Sequence, residues 1–175
     1  MVAGHMALAW AMLNPASPLA RLMAAPMRPG TVTWLGVRPA RLAPMVVLET
    51  ITLTPGQGVA GDHYASATQG ARQVTVIAAE HLAAVASYLG QDSVPPEMLR
   101  RNVVVRGANL AALKGRRFRL GGAVLESSGE CHPCSKMERL LGVGGYNAVR
   151  GHGGITARVL EGSEVRLGDL IMALD

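Results

Sequence analysis

The chain changes its rhythm of apolar and polar positions near Gly30. Before it, Pro15, Pro18, Pro26 and Pro29 interrupt an apolar stretch, so residues 1–30 read as an irregular arm with one short helix near 19–24. After it, short runs rich in Val, Ile, Leu and Thr alternate with glycine turns, the pattern of β-strands. The predicted strands are 31–37, 45–54, 72–78, 102–106, 117–120, 123–127, 155–160 and 164–167. Val74 and Val76 share one face of their strand, and Arg117 and Arg119 share one face of theirs, because side chains alternate at period two. Gly56 to Asp62 is a glycine-rich turn, and Glu161-Gly162-Ser163 reads as the turn of a hairpin.

Helical spacing is rarer. Leu82, Val85, Ala86 and Leu89 form one stripe over 79–89, and Gly90 stops it. A shorter helix is predicted over 95–100, where proline suits the first turn, and another over 137–141. Many strands with few helices predict a mainly β (α+β) fold, a barrel or sandwich, with helix 79–89 on its exterior. Residues 31–175 read as one domain. Met1 to Met6, MVAGHM, has the look of a vector-derived scar ahead of a native start at Met6.

Composition narrows the classes. Aromatic residues are only 3% of 175, so the core must be aliphatic. Charged residues are 17%, too few for a disordered or polyionic chain. The net charge of +5 favours anionic partners. No Asp or Glu occurs from Met98 to Leu125, whereas Arg100, Arg101, Arg106, Lys114, Arg116, Arg117 and Arg119 do. That stretch is either an anion site or a solvated strand face. No segment is apolar for long enough to span a membrane, and 7–13 lacks the basic flank of a signal peptide. A reducing cytoplasm is the default for two cysteines three apart.

Those cysteines stand in Gly129-Glu130-Cys131-His132-Pro133-Cys134-Ser135-Lys136, between a strand and a short helical run. A thiol at such a junction sits near helix N–H groups that favour a thiolate, and Lys136 adds positive charge. Glu130 opposes ionisation of Cys131, so Cys134 is the better nucleophile or metal ligand. Haem attachment fails because Ser135, not histidine, follows the second cysteine. Zinc would need His63, His132 or His152 beside the pair. A thioredoxin-like role wants a βαβ context, which the pattern does not provide. Two small thiols on a turn is the plain alternative.

Beyond the cysteines, Gly142 to Gly154 is dense in glycine and carries Asn147, Arg150 and His152. Glycine lets backbone approach a ligand closely, and successive N–H groups can nest an anion. A surface loop is the plain alternative.

The stretch SGECHPCSKMERLLGVGGYNAVRGHGGITARVLEG, residues 128–162, resembles small bacterial stand-alone MOSC proteins, the molybdenum cofactor sulfurase C-terminal type. So do RQVTVIAAEHL at 72–82, LRRNVVV at 99–105, ALKGRRFR at 112–119 and Gly61-Asp62-His63-Tyr64-Ala65. The resemblance runs from about Gly30 to Asp175 and implies a distorted β-barrel with peripheral helices. It implies one of two roles. One is binding of molybdenum cofactor with the motif cysteine, here Cys134, as metal ligand, and reduction of N-hydroxylated compounds with electrons from an external reductase. The other is sulfur carriage, with Cys134 holding a persulfide from a pyridoxal-phosphate-dependent cysteine desulfurase for metal–sulfur cofactor assembly.

The Arg-x-Asn sequence of the amidoxime-reducing relatives maps onto Arg100 and Asn102, with Arg101 between. Those relatives also carry a long N-terminal β-barrel domain that contributes cofactor contacts and is not in this chain. In the molybdenum reading, Arg100, Arg101, Asn102, His132, Asn147, Arg150, Gly153 and Gly154 surround the cofactor, and His152 or His132 delivers protons. In the carrier reading, Cys131 releases the sulfur by forming a transient disulfide. Whether the chain is an oxidoreductase or a sulfur-transfer protein stays open at this level. A non-enzymatic anion-binding barrel is a third reading. It explains the basic stretch and leaves the cysteines idle, and nucleic acid and membrane are the least favoured partners.

Overall fold

The computed structural model describes residues 14–64 and 70–174. The run 7–13, the MVAGHM segment and Ala65 lie outside the described residues. The strands are β1 (Gly30–Val37), β2 (Val46–Leu48), β3 (Thr50–Thr54), β4 (Gly58–Val59), β5 (Val74–Ala78), β6 (Val103–Arg106), β7 (Arg117–Leu120), β8 (Ala123–Glu130), β9 (Ile155–Glu161), β10 (Ser163–Arg166) and β11 (Leu170–Ala173). The helices are α1 (Pro18–Ala24), α2 (Ala79–Tyr88), α3 (Pro96–Leu99), α4 (Ser135–Leu141) and α5 (Gly145–Val149), with a 3-10 turn at Leu110–Leu113.

Seven strands close into a barrel in the order β1-β6-β5-β9-β8-β7-β11, and β11 returns to β1. The fold is therefore mainly β, as the pattern predicts, and a barrel rather than a sandwich, as the resemblance implies. β2 extends β1 at its far end. A separate three-stranded sheet, β10-β3-β4, packs Ile51, Leu53, Val59 and Val165 into the same core as the barrel interior. Phe118, the one phenylalanine of the chain, is fully buried there among aliphatic side chains.

Two cores explain why β5 and β6 are apolar on both faces, Thr75 in β5 excepted. In β5 and β6, Val76, Ala78, Val103 and Val105 point into the barrel. Their neighbours Ile77 and Val104 point outward, under Leu82, Val85 and Ala86 of α2 and Met137, Leu141 and Val149 of α4 and α5. A strand covered on both faces has no polar positions to alternate with. β7 is covered on one face only, so Phe118 and Leu120 are buried while Arg117 and Arg119 are exposed.

Four readings of the pattern are corrected. The strand 45–54 is two strands broken at Glu49, and the halves join different sheets. The hairpin at 161–163 is not one: β9 pairs with β5 and β8, whereas β10 pairs with β3. A Cβ on Gly162 would lie 2.5 Å from the Leu53 carbonyl oxygen. The glycine lets the chain cross β3 closely and change sheets in one residue. The stretch 142–154 contains a helix, α5, rather than loop alone. Finally, β5 and β6 run parallel with α2 and α3 between them, so a βαβ unit is present. The cysteine motif lies outside it, after β8.

No helix among the described residues is long and apolar enough to cross a membrane.

Candidate functional site

Residues 99–102 splay in three directions from one turn. Arg100 ends α3 in the left-handed region, φ 55°, a conformation costly for a side chain of its size. Its Nη1 donates to the Ala43 carbonyl at 2.7 Å, and its Nη2 is buried without a protein partner. Burial lowers its pKa, the Arg38 charge adds to that, and Asp62 opposes it.

Arg101 turns the other way, toward the cysteine loop. Its Nε donates to Gly153 at 2.8 Å, Nη1 to Leu99 at 2.6 Å and Nη2 to Cys131 at 3.4 Å, all at carbonyl oxygens. The side chain is buried, and burial lowers its pKa, with both cysteine sulfurs in electrostatic range pulling it back up. Three carbonyl dipoles, rather than a carboxylate, are its hydrogen-bond acceptors. A negative charge on a nearby sulfur would therefore be attracted to it.

Asn102 is fully buried. Its Oδ1 accepts from the Thr75 amide, the Thr75 hydroxyl and Arg38, and its Nδ2 donates to Gly36 and Asp62. Asp62 in turn accepts a two-pronged pair from the Arg38 guanidinium, both bonds 2.9 Å, and the amides of Arg38 and Tyr64. Burial alone would raise the Asp62 pKa; the Arg38 side chain, amide and charge, with the Tyr64 amide, outweigh it and lower the pKa. His63 stands beside this pair, its Nδ1 3.8 Å from Asp62.

The two cysteines differ in exposure. Both are free, Cys131 is buried and Cys134 is exposed. Cys131 is held by its amide, which donates to the Gly154 carbonyl at 2.9 Å. Cys134 caps α4, and its carbonyl accepts from Met137. The Glu130 charge expected to act on Cys131 is spent on Lys114 at 2.9 Å, whose hydrogen bond lowers the Glu130 pKa. His132 is exposed beside Glu130.

Gly153 and Gly154 are where the glycine stretch meets this loop. A Cβ on Gly153 would fall 1.9 Å from the Cys131 carbonyl oxygen. At Gly154, φ is 82°, and a Cβ would fall 2.1 Å from the Val76 carbonyl oxygen. The remaining sequence candidates lie elsewhere: Asn147, Arg150 and His152 line a cleft of about 640 Å³ against the end of α2. Glu138 joins the two regions. From α4, which Cys134 starts, it accepts from the amides of Gly144 and Tyr146 at the head of α5.

The structure thus brings Arg101, Gly153, Gly154 and Cys131 together, next to Cys134. Arg100 bonds to the Ala43 carbonyl, within electrostatic range of Arg38 and Asp62, and Asn102 is a buried cross-link. Sequence reasoning missed Arg38 and Thr75. The one available signal was Asp62, the sole acidic residue between Glu49 and Glu80, which implies a cationic partner. Among the described residues, no group of three or more His, Cys, Asp or Glu is placed to hold a metal ion.

The MOSC domain family model matches residues 50–172, and the chain belongs to the MOSC domain family. No curated protein matches it significantly. Among solved structures, the chain is similar to the YuaD protein of Bacillus subtilis, with a TM-score of 0.72 at 22% identity, covering 85% of this chain and 98% of that one. It is also similar to YiiM of Escherichia coli, with a TM-score of 0.63 at 17% identity, covering 83% of this chain and 70% of that one. For YiiM of Geobacillus stearothermophilus the values are 0.64 and 13%, covering 83% and 75%. At these identities the likeness establishes the fold.

Proposed function

We propose that this MOSC protein binds molybdenum cofactor through the Cys134 thiolate and reduces N-hydroxylated compounds with electrons from an external reductase. The observation that carries the reading is an exposed free thiol at Cys134 within electrostatic range of the buried Arg101. Two side chains offer chemistry that such a group would use, from the two different neighbourhoods to which Arg100 and Cys134 turn. Cys134 offers a soft sulfur ligand. Arg100 keeps a buried Nη2 that no protein atom satisfies, a natural partner for a phosphate oxygen. Arg101 and Asn102 fit differently from the family expectation. All three Arg101 nitrogens and both Asn102 polar atoms already bond to protein, so they hold the loops and not the ligand.

When bound, the cofactor would supply the metal-centred two-electron redox chemistry of the reduction. The chain's own residues fix the sulfur, neutralise the phosphate and move protons. His132, exposed two residues before Cys134, is placed by sequence to exchange a proton with solvent. The test is molybdenum content by mass spectrometry, on protein made in a host that synthesises the cofactor. About one molybdenum per chain is expected, falling to background in Cys134→Ala.

A second reading is sulfur carriage, favoured by the exposure of Cys134 and a second free thiol three residues away. Cys134 would accept the outer sulfur of a desulfurase persulfide. Attack by the Cys131 thiolate on the inner sulfur would then release hydrosulfide and leave a Cys131–Cys134 disulfide. Persulfide-specific alkylation after incubation with a desulfurase and cysteine separates this reading from the first.

A further inference from the structure

The cleft lined by Asn147, Arg150 and His152 has a one-sided chemistry. Its volume, about 640 Å³, is that of a small-molecule site. Tyr88 and His152 present two rings with centroids 5.2 Å apart and planes tilted by 54°. Behind them His81 meets His152 edge-on, at 5.1 Å and 90°, which fixes the plane of the His152 ring. Nδ1 of both histidines is buried with no protein partner. Leu89 and Ala148 supply apolar wall, Arg150 the cation and Asn147 an exposed amide. Among the described residues, no carboxylate lines the cleft. Glu138, beside it on α4, is committed to the amides of Gly144 and Tyr146.

We infer that this cleft binds a planar aromatic anion, its ring on Tyr88 and His152 and its charge on Arg150. Aromatic faces suit a flat ring, and a lone guanidinium without a competing carboxylate suits an oxyanion. Burial lowers the His81 pKa, the His152 charge adds to that and Glu80 opposes it. That ring therefore backs the platform as a neutral group at neutral pH. The inference does not rest on the chemistry of Cys134, since neither cysteine lines the cleft.

The test titrates the full chain with 2-naphthoate and follows backbone amide shifts by NMR, with naphthalene-2-methanol as the uncharged probe. The expected result is saturable binding with a Kd at or below about 1 mM, with shifts centred on Ala148, Val149 and His152. Arg150→Gln, at an exposed position, should weaken naphthoate about 10-fold and leave the alcohol unchanged. Tyr88→Ala should weaken both. Any of three results overturns the inference: no saturation at that concentration, shifts centred on Cys134 or Arg100, or equal naphthoate affinity in Arg150→Gln.

Discussion

Arg101 Nε donates to the carbonyl oxygen of Gly153 at 2.8 Å, 52 residues away in sequence. With its further bonds to Leu99 and Cys131, this guanidinium pins the cysteine loop and the glycine stretch to the start of β6. The cation lies within electrostatic range of both sulfurs.

Arg101→Met should therefore cost stability as well as function. It leaves three carbonyls without their donor in a buried setting, a loss of about 3 kcal/mol. Arg101→Lys should recover part of this, because an ammonium cannot reach three divergent carbonyls. Urea denaturation measures both. A variant as stable as the parent would show that the clamp is idle.

Glycine substitutions divide by what a Cβ meets. At Gly153 it meets the Cys131 carbonyl at 1.9 Å, so Gly153→Ala should cost about 3 kcal/mol and displace the cysteine loop. At Gly151, φ is 77° with nothing within 4 Å, so Gly151→Ala should cost only the left-handed backbone strain, about 1 kcal/mol. Thermal melts of the pair give the contrast. Equal losses would refute the close approach at Gly153.

Asp62 predicts an acid limb of stability. Its folded pKa lies below the ordinary 3.8, so the unfolded chain takes up the proton first as pH falls. The stabilisation is complete above 3.8 and is lost as pH drops through the lower folded value. Asp62→Asn should be less stable than the parent at neutral pH, with the gap closing in acid. Denaturation midpoints from about pH 6 to pH 2 test this. A gap that stays constant would remove Asp62 from the linkage.

The barrel was largely legible in the chain, and the site only in part. β5 and β6 show as apolar runs, broken in β5 only by Thr75, because both of their faces are buried. β7 shows as strict alternation because Arg117 and Arg119 face solvent. Gly162 misled because a local turn signal does not say which strand comes next; the approach to Leu53 decides that. The Arg100-Arg101-Asn102 run reads as one anion-binding unit, and a single left-handed residue, Arg100, divides it among three neighbourhoods. The motif marks Cys134 as the candidate. The clamp beneath it depends on Arg101 meeting Gly153, a pairing that no local pattern announces.

The central claim is that Cys134 carries the chemistry, and loading of three proteins tests it most directly. The parent, Cys131→Ala and Cys134→Ala are made in a cofactor-competent host, then assayed for molybdenum and, after desulfurase treatment, for persulfide. Cys134→Ala should lose either form of loading with its melting temperature preserved, because the exposed thiol contributes little packing. Cys131→Ala should keep its loading and, in the carrier reading, release sulfur more slowly. Full loading of a folded Cys134→Ala protein would contradict both readings and leave the motif a structural turn.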